Sequence, residues 1–253
     1  LRLNILINYN LMKLIIKKIL RKLGWKLIKI RKPPEPNPYG RLDDDVLKSI
    51  NNSTGIVHLG AHRGLEAEVY NWFGKNVIWV EAIPKIYKQL SENLYFYKNQ
   101  LAFQALLTDE DDKNTNFYIS NYDSACSSIY KFTENIKSSK IWSDRNHQMI
   151  DTLNLKSKKL DTLFTKEKIN PKQYNHWILD LQGAELLALK GAEKSLESCK
   201  SIYIEVSKEK FYTDGVLWGE LKDWLISKNF YPTRNPVDDE EDILFIKKTN
   251  FIK

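Results

Sequence analysis

Two glycines and an acid stand at the ends of mainly apolar segments, where they could hold a ribose-bearing cofactor. Segment 56–59 runs into Gly60 and Gly64, and segment 77–80 ends at Glu81, 21 residues after Gly60. Glycine lets the backbone come close to a ligand, and the helix N-terminus predicted behind the turn offers free N–H groups. A carboxylate at the end of the second strand can accept hydrogen bonds from both ribose hydroxyls. The pattern is typical of a cofactor turn in a doubly wound α/β domain.

The spacing of this turn distinguishes two kinds of cofactor. A dinucleotide needs Gly-x-Gly-x-x-Gly, which brings its pyrophosphate against the helix N-terminus. Here His62 occupies the position of the middle glycine. S-adenosylmethionine needs no pyrophosphate pocket, so the spacing favours it over a dinucleotide. An ordinary strand-to-helix turn with a solvated Glu81 is the alternative, because glycines are frequent in turns.

Two further acids follow apolar segments in the second half of the chain. Asp180 lies at the end of a strand predicted over 177–181, and Glu205 lies near the end of a strand predicted over 201–206. The carboxyl ends of parallel strands face the crevice where ligands bind. Paired carboxylates can deprotonate a hydroxyl, orient it or hold a divalent metal. We therefore predict Asp180 and Glu205 as catalytic residues; taken singly, each could instead be a helix-capping or salt-bridged acid.

A metal site is not indicated by the histidines. His58 and His62 have the spacing of two zinc ligands on one helix face. Here the pair spans a strand-to-turn junction, where that spacing does not bring two imidazoles to one ion. We predict no metal at these histidines, and a divalent metal at the two acids is compatible with the sequence without being indicated by it.

Predicted strands and helices alternate along the chain, which indicates a mostly parallel sheet covered by helices on both faces. Besides the strands above, we predict strands over 102–107, 116–120 and 243–247, and helices over 42–50, 65–73, 85–97, 185–196 and 217–228. The polar segment 109–160 is predicted to be mainly irregular and to shape the acceptor site. With 253 residues, the chain can form one large α/β domain with a full core.

The basic residues are unevenly distributed. Residues 1–32 contain ten of the 39 basic residues and no acid, so the rest of the chain has 29 basic and 32 acidic residues and a net charge of −3. A nucleic-acid-binding protein carries its basic residues on a folded face, and we therefore predict no nucleic-acid partner. Cys126 and Cys199 form no Cys-x-x-Cys pair, which favours a reducing, cytoplasmic compartment.

The basic segment predicts an amphipathic helix over residues 11–32 with a lysine-rich face. Lysines interrupt its apolar runs, so none approaches the roughly 18 residues of a membrane span. We predict that this arm, residues 1–32, binds an anionic membrane surface and holds the protein at the inner face of a membrane; packing on the domain is the alternative. Residues 1–11 precede the first methionine and are assigned no fold. Four prolines make residues 33–40 a stiff linker to a domain over 41–253.

Five stretches, taken in order, carry a resemblance to a known family. They are residues 57–64, 79–84, 127–128, 160–163 and 179–185. The most specific combination is Asp-Leu-Gln-Gly-Ala-Glu at 180–185 with Glu-Ala-Ile-Pro at 81–84. Over about residues 50–232 the chain resembles the FkbM family of S-adenosylmethionine-dependent methyltransferases.

The resemblance implies the class I methyltransferase fold, a Rossmann-like, seven-stranded, mostly parallel α/β sheet with helices on both faces and its last strand antiparallel. It implies S-adenosylmethionine as cofactor and O-methylation of a hydroxyl on a sugar, a glycan or a related natural product. The implied roles are the cofactor's methionine end for Gly60, His62 and Gly64, its ribose for Glu81, its adenine for Ala105 and Leu106, and the site of methyl transfer for Asp180.

The chain departs from the family pattern at three positions. His58 and His62 stand where the family has Asp and Asn, and Ile178 stands where it commonly has Lys. A neutral imidazole can still donate or accept one hydrogen bond, so His58 is kept among the predicted cofactor-binding residues, although charge pairing with the cofactor's ammonium is lost. Two alternatives stay open: a non-catalytic, membrane-associated protein with a methyltransferase-like shell, and a nucleotide-dependent oxidoreductase or epimerase, which the missing dinucleotide pattern disfavours.

Overall fold

The computed structural model describes residues 42–121, 123–138 and 146–248. The predicted basic arm, residues 1–32, and the proline-rich linker, residues 33–40, lie outside the described residues. In the part of the chain that is described, no helix combines the length and the apolar character that crossing a membrane requires.

Strands and helices alternate through the described residues, as the sequence predicts. The strands are β1 (Ile56–Leu59), β2 (Val77–Glu81), β3 (Gln100–Gln104), β4 (Leu106–Leu107), β5 (Asn114–Ser120), β6 (Met149–Lys158), β7 (His176–Leu179), β8 (Ser201–Ser207), β9 (Phe230–Pro232) and β10 (Glu240–Lys247). The helices are α1 (Asp44–Asn52), α2 (Ala67–Trp72), α3 (Pro84–Leu94), α4 (Asn135–Ser138), α5 (Leu160–Lys166), α6 (Glu185–Lys190), α7 (Glu193–Leu196) and α8 (Trp218–Ser227). Pro84 begins α3, where its missing N–H costs no helical hydrogen bond.

The main sheet has seven strands in the order β3-β2-β1-β7-β8-β10-β9. β1 pairs in parallel with β2 on one side and with β7 on the other, while β10 runs antiparallel to β8 and β9. This is the predicted sheet of the class I methyltransferase fold. The strand order reverses beside β1, and ligands of open α/β sheets bind outside the carboxyl ends of the strands at such a point.

Both faces of the central strands are buried. All four residues of β1 are buried, and successive side chains point to opposite faces of the sheet. Val57 and Leu59 pack into one apolar cluster with Trp177, whereas Ile56 packs into a second cluster with Trp79. Strands covered on both faces need nearly continuous apolar sequence, which is why the sequence located β1, β2 and β7 closely.

Two predicted elements are divided where the backbone makes a close contact. Segment 102–107, predicted as one strand, divides into β3 and β4 at Ala105, whose N–H donates to the backbone oxygen of Glu81 at 3.1 Å. The helix predicted over 185–196 divides into α6 and α7 at Gly191. A Cβ on Gly191 would lie 2.0 Å from the backbone oxygen of Thr108, so the chain turns there against a neighbouring segment.

The strand predicted over 116–120 is confirmed as part of β5, but the prediction that the rest of 109–160 is mainly irregular is wrong, because it missed β6 and the second sheet in the order β4-β6-β5. β5 pairs antiparallel with the ten-residue strand β6. Much of β6 is exposed, so the apolar alternation that identifies a strand is weak in its sequence. Leu153 and Leu155 of β6 pack against a small cluster that contains Ile83, Leu106 and Phe117.

Candidate active site

A cavity of about 370 Å³ lies at the carboxyl ends of β1, β2 and β7, where the strand order reverses. Its volume is in the range of small-molecule sites, about 300–1,000 Å³. Seven of the nine predicted site residues line it: His58, Gly60, His62, Glu81, Ala105, Leu106 and Asp180. Gly64 and Glu205 do not line this cavity.

The two glycines of the predicted cofactor turn have different structural roles. Gly60 has a φ of +81°, and a Cβ on it would lie 1.8 Å from the backbone oxygen of Asp180. The end of β1 therefore passes the end of β7 at a distance that only glycine permits. Gly64, with a φ of +66°, would place a Cβ 2.7 Å from Leu90 Cδ1. Gly64 thus allows the turn to pack on α3 and does not form the cavity wall.

Glu81 is buried at the end of β2 and accepts two backbone hydrogen bonds. Its Oε2 accepts the N–H of His62 at 2.8 Å, and its Oε1 accepts the N–H of Ile83 at 2.8 Å. Burial raises the pKa of Glu81 to about 7, against the opposing effect of these bonds. Each carboxylate oxygen has a further lone pair, so Glu81 can still accept two ribose hydroxyls.

Apolar side chains from the second sheet and from the segments next to it line another part of the cavity. Leu106 of β4, Phe117 of β5 and Ile83 form one cluster, and Ala105 lies beside Leu106 in the cavity wall. Ile129, which is partly buried, packs on the cluster and also lines the cavity. Such an apolar slot suits the flat face of a purine base.

His58 is buried and neutral. Its Nδ1 lies 3.1 Å from the Tyr70 hydroxyl, and its ring stacks on Trp79 with centroids 4.7 Å apart. Burial, together with the nearby His176, lowers the pKa of His58 to about 3. The imidazole therefore supplies no charge to a ligand, in agreement with the departure from the family pattern at this position.

Asp180, Gln182, Glu205 and Tyr212 form a hydrogen-bonded group that we call the carboxylate network. The Nε2 of Gln182 donates to Asp180 Oδ1 at 2.6 Å and to Glu205 Oε2 at 2.7 Å. The Oε1 of Gln182 accepts the Tyr212 hydroxyl at 2.6 Å. Asp180 lines the main cavity, whereas Glu205 lines a separate small pocket. The two predicted catalytic acids are thus joined through Gln182 and have access to different spaces.

The two acids of the carboxylate network are unequal. The side chain of Asp180 is open to the cavity, yet protein atoms surround its carboxylate on the other sides, and this burial raises its pKa. Hydrogen bonds with Gln182 and Glu205 act in the opposite direction. Burial and the neighbouring Asp180 raise the pKa of Glu205 well above its usual range. Glu205 therefore holds its proton more strongly than Asp180, and Asp180 is the acid better placed to be charged.

A second polar contact, which we call the mouth contact, crosses the cavity wall between Arg63 and Asp123. The guanidinium of Arg63 donates to both carboxylate oxygens of Asp123, with one N–O distance of 2.6 Å. The bond from Arg63 lowers the pKa of Asp123. In addition, the Nε2 of His62 lies 3.0 Å from the backbone oxygen of Asp123. The side chain of Asp123 is 73% exposed, so water surrounds this contact.

Residues 123–129, which we call the roof segment, contribute Asp123 and several following residues to the cavity wall. Buried bonds fix its centre: the Ser128 hydroxyl donates to the backbone oxygen of Gln182 at 2.7 Å, and the Cys126 N–H donates to Ser120 Oγ at 3.1 Å. The roof segment is therefore fixed in its middle by buried bonds and at its start by the exposed mouth contact.

Four residues that sequence reasoning missed are Arg63, Asp123, Gln182 and Tyr212. Gln182 stands inside the motif at 180–185, which could have identified it, whereas Tyr212 lies in a loop without any distinguishing pattern. Among the described non-glycine residues with positive φ are His62, Asp123, Ser124 and Gln182, and all four line the cavity. Left-handed backbone of this kind concentrates at functional sites.

Comparison with known families gives one match that covers most of the chain. The family described as the methyltransferase FkbM domain matches residues 58–232. A search of curated proteins finds no match.

Solved structures of several methyltransferases are similar to this chain at low identity. TrmK from M. capricolum, in complex with S-adenosylhomocysteine, is 11% identical, with 83% of this chain and 70% of that chain covered and a TM-score of 0.42. A SAM-dependent methyltransferase from Aquifex aeolicus is 11% identical, with coverages of 85% and 94% and a TM-score of 0.45. Magnesium protoporphyrin IX methyltransferase from Synechocystis PCC 6803, with bound SAM, is 10% identical, with coverages of 80% and 74% and a TM-score of 0.40.

Proposed function

The chain belongs to the FkbM methyltransferase family, as its motifs predict, and from this premise we propose that it transfers the methyl group of S-adenosylmethionine to a hydroxyl of a sugar, a glycan or a related natural product. The observation that carries this proposal is the cavity that contains Glu81, the apolar slot and Asp180 in one continuous space. A ribose, an adenine and a reacting hydroxyl each have a suitable partner there.

The residues present fit S-adenosylmethionine in three respects. Gly60 lets the end of β1 pass close to the backbone of Asp180, so the backbone of the turn itself lines the cavity. Both oxygens of Glu81 accept backbone N–H groups and keep a lone pair for a ribose hydroxyl. Leu106 and Phe117 offer apolar surface for adenine. His62, in the position where a dinucleotide site has glycine, supports a cofactor without a pyrophosphate.

Bound S-adenosylmethionine would supply a methyl group whose carbon–sulfur bond breaks as a carbon–oxygen bond to the acceptor forms. Asp180 is the proposed acceptor of the hydroxyl proton, because its side chain is open to the cavity and burial brings its pKa closer to neutral pH. Glu205 is proposed to act through Gln182, since it holds a proton and lies in a different pocket. The roof segment would help to keep bulk water from the reacting groups.

A hydroxylated acceptor is supported by the polar groups around Asp180. Ser124 and Ser127 line the same cavity, and their hydroxyl groups can hydrogen-bond the other hydroxyls of a sugar. Apolar Leu181 and Ile129 lie in the same wall, which suits the C–H face of a sugar ring.

The first test is calorimetric titration of the purified protein with S-adenosylmethionine, S-adenosylhomocysteine and NAD. We expect the first two to bind and NAD to give no heat of binding. A folded protein that does not bind S-adenosylmethionine would contradict the proposal.

The second test identifies the methylated atom. Transfer of a labelled methyl group is measured over a panel of monosaccharides, oligosaccharides and hydroxylated natural products, and the position of the label is read by NMR. We expect an O-methyl product from the wild-type protein and from the control Asp151→Asn, whose side chain is exposed on β6. A label on nitrogen or carbon would exclude O-methylation.

The basic arm carries a separate part of the proposal. We propose that residues 11–32, which lie outside the described residues, bind an anionic membrane surface and place the enzyme at the inner face of a membrane, where lipid-linked glycans are built. Sedimentation with anionic and with neutral liposomes is compared for the full chain and for a chain that begins at residue 33. Equal sedimentation of the two proteins would remove this part of the proposal.

A further inference from the structure

We propose that Gln182, oriented by Tyr212, is a positioning residue that presents Asp180 to the cavity as a charged carboxylate and so makes the site select a cationic cofactor over its neutral product. The inference rests on the cofactor named above and concerns two side chains to which the motifs assign no role. The inference is based on the hydrogen bonds that neighbouring residues make with every polar atom of the Gln182 side chain.

Every polar atom of the Gln182 side chain has a partner. Its Nε2 bonds Asp180 and Glu205, and its Oε1 bonds Tyr212, at the distances given above. The backbone oxygen of Gln182 accepts the Ser128 hydroxyl. Gln182 is 6% exposed and has a φ of +55°, a backbone region that non-glycine residues rarely occupy. The surrounding bonds therefore hold this residue in a conformation that it would not adopt by itself.

Tyr212 determines which way the amide of Gln182 faces. Burial raises the pKa of Tyr212 well above its usual range, so its hydroxyl keeps its proton. That proton is donated to Gln182 Oε1 at 2.6 Å, which is closer than the second acceptor, the backbone oxygen of Cys126 at 3.2 Å. Oε1 of Gln182 faces that donor, and Nε2 consequently faces the two carboxyl groups. In the opposite orientation the amide oxygen would face two acids and would leave a carboxylate without a donor, which is costly in a buried site.

Burial and the neighbouring acids disfavour two negative charges in the carboxylate network, and the hydrogen bonds favour Asp180 as the charged member. Gln182 donates to both acids. Glu205 holds its proton more strongly because it is buried near several acids, whereas the bonds with Gln182 and Glu205 act to lower the pKa of Asp180. Neighbouring elements contribute further titratable groups to this region: His62 after β1, Glu81 of β2, Glu185 of α6, and Glu240 and Asp242 of β10. The amide of Gln182 therefore stabilises the negative charge of Asp180 by a hydrogen bond, but it carries no positive charge that would neutralise it.

Within the described part of the chain, no lysine or arginine forms an ion pair with Asp180. The charge of His62 acts on Asp180 from the turn after β1, but a carboxylate without a lysine or arginine partner in a partly enclosed cavity still attracts a cation more strongly than a neutral molecule of the same shape. S-adenosylmethionine carries a positive sulfur and S-adenosylhomocysteine a neutral one, so we expect the carboxylate network to favour the first.

The test is the ratio of the affinities for S-adenosylmethionine and S-adenosylhomocysteine, measured by calorimetry between pH 5.5 and 8.5. The two ligands share their adenosine and amino-acid parts, so titration of Glu81 or of the ligand amine largely cancels in the ratio. We expect Gln182→Leu to lower the ratio at pH 7 about tenfold, the effect of losing one hydrogen bond to a charged group. The pH at which the ratio rises should also shift upward, because Asp180 without its donor keeps its proton longer.

Three further variants separate positioning from a general structural effect. Asp180→Asn should lower the ratio and remove its pH dependence, and the double variant should behave like Asp180→Asn alone, because Gln182 acts through Asp180. Tyr212→Phe should give a smaller change in the same direction. The exposed controls Gln173→Leu and Tyr95→Phe should leave the ratio unchanged.

The outcomes distinguish this inference from the proposed function. If the wild-type protein does not bind S-adenosylmethionine, the proposed function fails. If it binds and Gln182→Leu keeps both the ratio and its pH profile, the positioning role is wrong. If Gln182→Leu does not fold, Tyr212→Phe decides, and an unchanged ratio in that variant overturns the inference.

Discussion

The carboxylate network and the mouth contact border the same cavity and are built from similar groups, but they differ in the burial of the side chain at the centre of each contact. In the carboxylate network, Gln182 is buried and bonds Asp180 and Glu205 through a neutral amide. In the mouth contact, Arg63 bonds Asp123 through a full ion pair, and the Asp123 side chain is largely exposed. The stronger pair of charges thus stands where solvent weakens it most.

This difference shows that burial, more than formal charge, decides which polar contact holds the site together. A buried donor or acceptor that loses its partner has no water to replace it and costs about 1–3 kcal/mol. An exposed ion pair contributes about 0–1 kcal/mol and is screened by salt. We therefore expect changes in the carboxylate network to alter chemistry and stability, and changes at the mouth contact to alter mainly the exchange of ligands.

The largest effect is expected for Asp180→Asn. Removal of the proposed proton acceptor should lower kcat by about 100-fold or more, the range of general base catalysis. The free energy of unfolding should not fall, because the variant removes a carboxyl whose charge burial disfavours. The corresponding change at the mouth, Asp123→Asn, should lower kcat less than about fivefold. Equal losses in the two variants, measured with any acceptor that the wild type methylates, would contradict the comparison.

The next largest effect concerns Glu81 and pH. Burial raises the pKa of Glu81 from 4.5 to about 7. Between these values the unfolded chain releases the proton and the folded chain keeps it, so the contribution of Glu81 to stability is lost as pH rises, by up to about 3 kcal/mol.

Glu81→Gln should therefore gain stability over the wild type as pH rises from 5 to 8, in urea unfolding experiments. Asp123→Asn is the exposed control. The pKa of Asp123 is lowered by Arg63, so its contribution is present above the usual pKa of an aspartate and does not change between pH 5 and 8. A Glu81→Gln variant whose stability runs parallel to that of the wild type would show that Glu81 is not perturbed by burial.

An intermediate effect is expected for Ser128→Ala. The Ser128 hydroxyl is fully buried and donates to the backbone oxygen of Gln182 at 2.7 Å. Its removal leaves that oxygen without this donor, and we expect a loss of about 1–3 kcal/mol in the free energy of unfolding. Ser91→Ala is the matched control, because the Ser91 hydroxyl is exposed on α3 and bonds within its own helix. Equal losses in the two variants would indicate that the buried bond has no special weight.

The smallest effect on stability is expected for Asp123→Ala. Loss of the mouth contact should change the free energy of unfolding by less than about 1 kcal/mol. Release of S-adenosylhomocysteine, followed by stopped-flow fluorescence, should be up to about fivefold faster and should lose its dependence on salt. Glu134→Ala, which removes the exposed ion pair with Lys137, should leave release unchanged. Release that stays slow and salt-dependent in Asp123→Ala would show that the mouth contact does not hold the roof segment.

Much of the site could be predicted because the carboxyl ends of buried strands fix where their next residues lie. Gly60, Glu81 and Asp180 each follow a strand with nearly continuous apolar sequence, so the sequence placed them in one crevice. Tyr212 reaches Gln182 across 30 positions, and Asp123 reaches Arg63 across 60. Neither contact produces a recognisable pattern in the local sequence, because each depends on the conformation of loops that are far apart in the chain.

The second sheet escaped prediction for a related reason. β6 is ten residues long but largely exposed, so its sequence lacks the regular apolar alternation of a half-buried strand. Its stability comes from pairing with β5 and from a few contacts such as Leu155 with the Ile83 cluster. The break that divides the predicted strand 102–107 could not be predicted either. It occurs at Ala105 because the N–H of Ala105 bonds the backbone oxygen of Glu81, and no property of alanine itself indicates this bond.

The pairing of β4 with β6 has a consequence for engineering the enzyme. Leu107 and Lys158 are partners in the ladder, so the chain leaves the main domain and returns to it at adjacent positions, about one strand spacing apart. The intervening residues, which include the roof segment, therefore form a cassette whose two ends are already joined by backbone hydrogen bonds. Exchanging that cassette between relatives should transfer acceptor preference and would also replace Asp123, the partner of His62 and Arg63. Gly60 itself should keep its position, because its close contact is with Asp180 at the end of β7.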